Sequence, residues 1–234
     1  MTSEVVVQIT NLHKNYQGLR PLRVRQFSMA AREVAILSGV DAPAAEVLVN
    51  LVTGATLPDV GDVVVLGRNT RSIASGDEWL ASLDRFGIVS PRAVLLDSAT
   101  VLQNLVLPFT LQIDPVPDDQ AARARALATE VGIEQDWIDR AAGELPAPVR
   151  IRAHLARAVA LEPALLILEH PTATLERADR QRVGIDVARV AHTRALSTFI
   201  ISEDVEFARA VAGRRYTLDA ATGDLKRRGG LWRR

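Results

Sequence analysis

Five short β-branched or leucine-rich apolar runs constrain this chain most: Val5–Ile9, Val34–Leu37, Val63–Leu66, Leu165–Leu168 and Thr198–Ile201. Each is too short for a helix and apolar at successive positions, a pattern that suits strands buried on both faces, several of them parallel. Helical patterns fall between them, at Ala44–Thr53, Asp77–Arg85, Ala121–Val131, Val149–Leu161 and Arg177–Val190. Alternation of that kind predicts an α/β layered fold. With 234 residues, 48% of them hydrophobic, the chain suffices for a single sizeable domain.

Two stretches depart from the alternation. From about Pro91 to Glu144 there are two apparent helices, a proline-bearing turn at Asp114-Pro115-Val116-Pro117 and no convincing central strand, which reads as a helical insertion. The tail from Arg214 to Lys226 reads as a closing hairpin with Thr222-Gly223 in its turn, followed by terminal arginines and Trp232.

Charge and composition exclude several functions. Lysine plus arginine balance aspartate plus glutamate at 28 each, so no net field favours nucleic acid or a lipid surface. There is no cysteine, which excludes disulfides and thiolate chemistry, and His13, His154, His170 and His192 lack ligand spacing, so no metal site is expected. The first residues lack the pattern of a signal peptide and no window approaches the roughly 20 apolar residues of a membrane span. A cytoplasmic location is the expectation.

The segment from Glu33 to Val49 has the strand, loop and helix layout of a phosphate-binding loop. Such a loop reads G-x-x-x-x-G-K-[ST], where backbone N–H groups cradle phosphates, lysine reaches the outer oxygens and the hydroxyl holds magnesium. Aligned on Gly39, this chain places Ala44, Ala45 and Glu46 at the last glycine, lysine and hydroxyl positions. Pro43 has no N–H, and Glu46 is expected near the first helical turn, where it would repel phosphate. Asp41 instead suits a helix cap, with Pro43 tolerated in the first turn. The chain has only two lysines, Lys14 and Lys226, so Arg32 and Arg68 are the candidate stand-ins.

Further landmarks follow in order: Lys14-Asn15-Tyr16, Gly61 to Gly67, Thr100 to Pro108, Leu155 to Ala160 and Leu165 to Thr172. In order and spacing the whole chain resembles an ATP-binding cassette, the nucleotide-binding subunit of ABC transporters, in the lipoprotein-release, macrolide-efflux and cell-division branch. The resemblance implies a mostly parallel sheet core with a β subdomain and a helical subdomain. Residues 1–90 and 145–234 would form the core, and about 91–144 the helical subdomain facing the transmembrane subunits.

The resemblance also assigns positions, and most carry a different residue from the family's. Glu169 stands at the magnesium aspartate and His170 at the catalytic glutamate; Glu203 replaces the switch histidine, ahead of a matching Asp204. Pro91 stands at the coupling glutamine, and Leu145-Pro146-Ala147-Pro148-Val149 at the signature L-S-G-G-Q, where two prolines remove N–H donors. Glu176 replaces the D-loop aspartate, while Tyr16 fits the adenine-stacking aromatic.

Loss at six positions together implies a pseudo-ATPase, with no cofactor expected and the family's ATP and Mg2+ binding weak or absent. It would dock on a membrane-spanning transporter component at the cytoplasmic face of the inner membrane, beside a competent cassette subunit. Two alternatives stay open: a soluble scaffold that binds another protein without a transporter, and an ATPase with a foreign phosphate anchor and His170 as base.

Overall fold

A computed structural model describes residues 4–227; Trp232 and the terminal arginines lie outside the described residues. The fold is α/β, built on two sheets. One is antiparallel, in the order β2-β1-β4-β5, from β1 (Val5–Lys14), β2 (Leu22–Ala30), β4 (Val60–Val65) and β5 (Arg68–Asn69). The other runs β10-β9-β3-β8-β7-β6, from β3 (Val34–Ser38), β6 (Phe86–Val89), β7 (Leu165–Glu169), β8 (Ser197–Ile201), β9 (Arg214–Leu218) and β10 (Leu225–Arg227). All its neighbours pair in parallel except the closing β9–β10 hairpin.

The continuous apolar runs are explained by two cores. Leu165 and Ile167 of β7 face one cluster, with Ala35 and Leu37 of β3, Phe199 and Ile201 of β8, the antiparallel sheet and helix α1 (Ala42–Val52). Leu166 and Leu168 face the other, with helices α3 (Val101–Val106), α4 (Asp118–Val131), α5 (Ala147–Val159), α6 (Arg177–Thr193) and α7 (Val205–Val211). A strand of period two that separates two cores has no polar face to show.

All five expected strands form, and so does the hairpin. The strand β2 was not foreseen, because Leu22, Val24, Phe27 and Met29 alternate with polar residues and present no continuous run. Helices α1 and α5 each start two residues before the expected position, since a proline at the second helical position lacks an N–H that would be unpaired in any case. Helix α2 (Gly76–Ser82) passes into a 3-10 turn at Leu83–Arg85. Residues 91–144 contain α3, α4, short 3-10 turns and one isolated bridge between Thr100 and Ala141, without a strand. Helix α3 starts with a reciprocal capping box between Thr100 and Gln103, and α4 ends at Gly132 in the left-handed region.

Two expectations follow from the packing of α5. The Gly87 backbone of β6 lies so close to α5 that an added Cβ would collide with the Ala158 carbonyl oxygen. Gly87→Ala is therefore expected to lower stability by about 1–3 kcal/mol in a denaturant titration; an unchanged midpoint would contradict this packing. Burial of His154 on α5, helped by Arg157 and Arg150, pushes its imidazole down to about 4 from 6.5. Between those values the unfolded chain takes up a proton that the folded chain refuses, so stability falls as pH drops from 6.5 towards 4. The thermal midpoint of His154→Gln should be less acid-sensitive than the wild type across that window.

Candidate functional site

The loops at the C-terminal ends of β3, β6, β7 and β8 converge, as parallel pairing requires, and they carry most of the positions singled out above. The loop after β3 passes through Gly39 at φ 83°, where a Cβ would collide with the Leu218 carbonyl oxygen. Glycine is thus required here by the backbone alone. Asp41 caps α1, its Oδ1 accepting from the Ala44 N–H at 2.9 Å, and Pro43 takes the second helical position. Ala44 and Ala45 are buried in the core beneath the antiparallel sheet.

The amides of this loop are occupied. The Oε1 of Glu203, from the loop after β8, accepts from the Gly39 N–H at 2.6 Å and the Val40 N–H at 3.1 Å. Glu203, at the switch-histidine position, sits with its carboxylate on two loop amides. Such charge-assisted bonds are the stronger kind. With Ala44 bonded to Asp41 and Pro43 lacking a donor, the loop offers few free amides.

Glu46 lies in the second turn of α1, a correction to the expected first turn, because the helix begins at Ala42. Its carboxylate pairs with Arg92 at 2.8 Å. The same guanidinium reaches Glu169 at 2.8 Å, and Glu169 also accepts from the Ser90 hydroxyl at 2.9 Å. Pro91 is exposed between Ser90 and Arg92. Arg92 was not singled out as a site residue; its one sequence signal is an arginine directly after the coupling-glutamine position.

Other expected participants stand apart. Arg32 lies in the turn before β3, at the opposite end of that strand from Gly39, and Arg68 bonds Ser72 and Glu78. Lys14 pairs with Asp59, and Lys226 lies on β10. No lysine or stand-in arginine from this set reaches the loop. His170 has φ 42° and donates its N–H to the Ile201 carbonyl, while its Nε2 is buried without a hydrogen-bond partner. Leu145 is buried, Pro146 is the residue before α5, Pro148 is its second residue and Val149 donates its N–H to the Pro146 carbonyl. Ala147 opens the helix, and no side chain caps it.

Tyr16 follows β1 and borders an open cleft of about 910 Å3 with Gly39, Asp41 and Glu203. Burial, and then the nearby Asp41 carboxylate, raise its phenol above the usual value. Glu176 is the residue before α6 and supplies no side-chain cap. Among the described residues no group of three or more His, Cys, Asp or Glu side chains forms a metal site, and no helix is long and apolar enough to cross a membrane.

Known proteins share this fold. Residues 26–173 match the family described as ABC transporter. The chain is 26% identical over 206 residues to the lipoprotein-releasing system ATP-binding protein LolD 1 of Caulobacter vibrioides, covering 88% of this chain and 87% of that one. It is 26% identical over 174 residues to the ABC transporter ATP-binding protein YxdL of Bacillus subtilis, covering 73% and 67%. The sulfate/thiosulfate import ATP-binding protein CysA of Burkholderia mallei is 27% identical over 217 residues, with 91% of this chain covered but only 60% of that protein. The chain thus spans about three fifths of the length of such import relatives. In fold, the post-hydrolysis dimer of the cassette MJ0796 superposes with a TM-score of 0.77 at 18% identity, covering 97% of this chain and all of that one. The cbiO1 subunit of Clostridium perfringens gives 0.77 at 20% identity, covering 92% and 84%. The chain belongs to the ABC transporter family, as an ATP-binding cassette domain.

Proposed function

We propose that this chain is a catalytically degenerate ATP-binding-type subunit, a pseudo-ATPase with a structural or regulatory role in a transporter. The observation that carries this reading is the Glu203 carboxylate on the Gly39 and Val40 amides, a tethered anion on the donors that a phosphate would use. Buried Ala45 at the lysine position, Pro43 without an N–H and the two prolines at the start of α5 support it. The residues of the site do not fit a triphosphate with magnesium. Taking two lost charge-stabilising contacts at roughly 2.7–4 kcal/mol each, turnover falls by about 10^4 to 10^6 relative to a competent cassette.

Docking on a membrane-spanning component, beside a competent cassette subunit at the cytoplasmic face, is part of the same reading. Its support is the membership in the ABC transporter family and the apolar surface of residues 91–117, where Val94 is 73% and Leu111 88% exposed. These exposed side chains are compatible with a membrane-spanning partner and equally with a soluble one.

Calorimetric titration of the purified chain with ATP and Mg2+ is expected to give no binding heat at millimolar nucleotide. Micromolar, magnesium-dependent binding would overturn the pseudo-ATPase reading. Co-expression with candidate membrane-spanning subunits should yield a complex in detergent, and Val94→Glu with Leu111→Glu should lower its recovery by about tenfold, or 1.4 kcal/mol. A chain that elutes alone with every candidate would remove the transporter partner and leave the soluble scaffold.

A further inference from the structure

Glu169 is 4% exposed at the end of β7, and a carboxylate so buried requires a partner. That partner is Arg92, whose Nη2 meets Glu169 Oε2 at 2.8 Å while Nη1 meets Glu46 Oε1 at 2.8 Å. Ser90 completes the knot: its hydroxyl donates to Glu169 Oε2 at 2.9 Å and accepts from the Arg92 N–H at 3.2 Å. One planar, permanently charged fork therefore joins the loop after β6, the end of β7 and the second turn of α1. Its two carboxylates occupy the positions that the resemblance assigns to the magnesium-holding hydroxyl and aspartate.

The loop after β6 is also held from its other side. Arg157 of α5 donates to the Val94 carbonyl at 2.7 Å, Arg150 pairs with Asp97 at 3.1 Å, and the buried Asn104 side chain bonds both the N–H and the carbonyl of Leu96. Arg92 is the guanidinium that ties this whole segment to the strand ends.

We propose that Arg92 is a tethered counter-ion in the place of a divalent cation, a clamp that fixes residues 90–97 against the core without nucleotide or metal. The inference rests on the pseudo-ATPase reading and adds to it the regulation of that same site: the exposed Val94 and Leu96 are presented in one constant arrangement. The two arms differ in strength. Glu46 is half exposed, so its arm is screened by solvent, whereas loss of the inner arm leaves the buried Glu169 without a counter-charge, held only by the Ser90 hydroxyl.

Hydrogen–deuterium exchange of residues 90–97 tests the clamp. In the wild type, protection there should be the same with and without Mg2+ and ATP. Arg92→Gln should exchange about tenfold faster in this segment, with β1 and β2 unchanged, and Glu46→Gln less than about threefold faster. Arg92→Lys keeps the charge but lacks the fork, and should fall between the wild type and Arg92→Gln; it serves as the test if the glutamine variant does not fold. Unchanged protection in Arg92→Gln, wild-type protection in Arg92→Lys, or a rise in wild-type protection with Mg2+ alone would each overturn the clamp. The calorimetric titration with ATP remains a separate reading, so binding heat would strike the pseudo-ATPase assignment while loss of the variant effects would strike Arg92.

Discussion

The burial of β3, β8 and β7 on both faces is the constraint from which the rest of the structure follows. Parallel strands must end on the same side, so the chain leaves each of them into one shared crevice. Most polar groups met there are paired close by, because the strands beneath are largely apolar; the His170 Nε2 is an exception. Glu203 finds the Gly39 and Val40 amides, Glu169 finds Ser90 and Arg92, and His170 bonds the end of β8 through its backbone. Two cores, one on each side of the sheet, hold those loops in register.

Much of this was legible in the residues. Continuous apolar runs announced the buried strands, and the order of landmarks located the loop after β3, the end of β7 and the start of α5. The antiparallel β2 escaped because its signal is alternation, and α7 because seven residues hold too little periodicity. At the site, the identities of residues were readable but their partners were not. Glu203 bonds an amide 164 positions away and Arg92 a carboxylate 77 positions away, separations that no local pattern encodes. Glu46 sits further along its helix than expected because α1 begins at Ala42, two residues before the helical pattern starting at Ala44.

Two helix starts that could receive an anion differ in how they are satisfied. At α1, carboxylates supply the negative charge: Asp41 on Ala44, and Glu203 on the two preceding amides. At α5, Pro146 and Pro148 remove donors outright, and the first turn closes on the Pro146 carbonyl through Val149 and Arg150. One end is filled and the other has less to fill.

A carboxylate carried on the same chain differs from a dissolved anion in its statistics. Geometry, not supply, sets the presence of Glu203 at the Gly39 and Val40 amides, because the fold brings the loop after β8 beside the loop after β3. Starvation cannot deplete it and dilution cannot wash it out. On the proposed reading, an incoming anion would first have to displace that carboxylate from the Gly39 and Val40 amides.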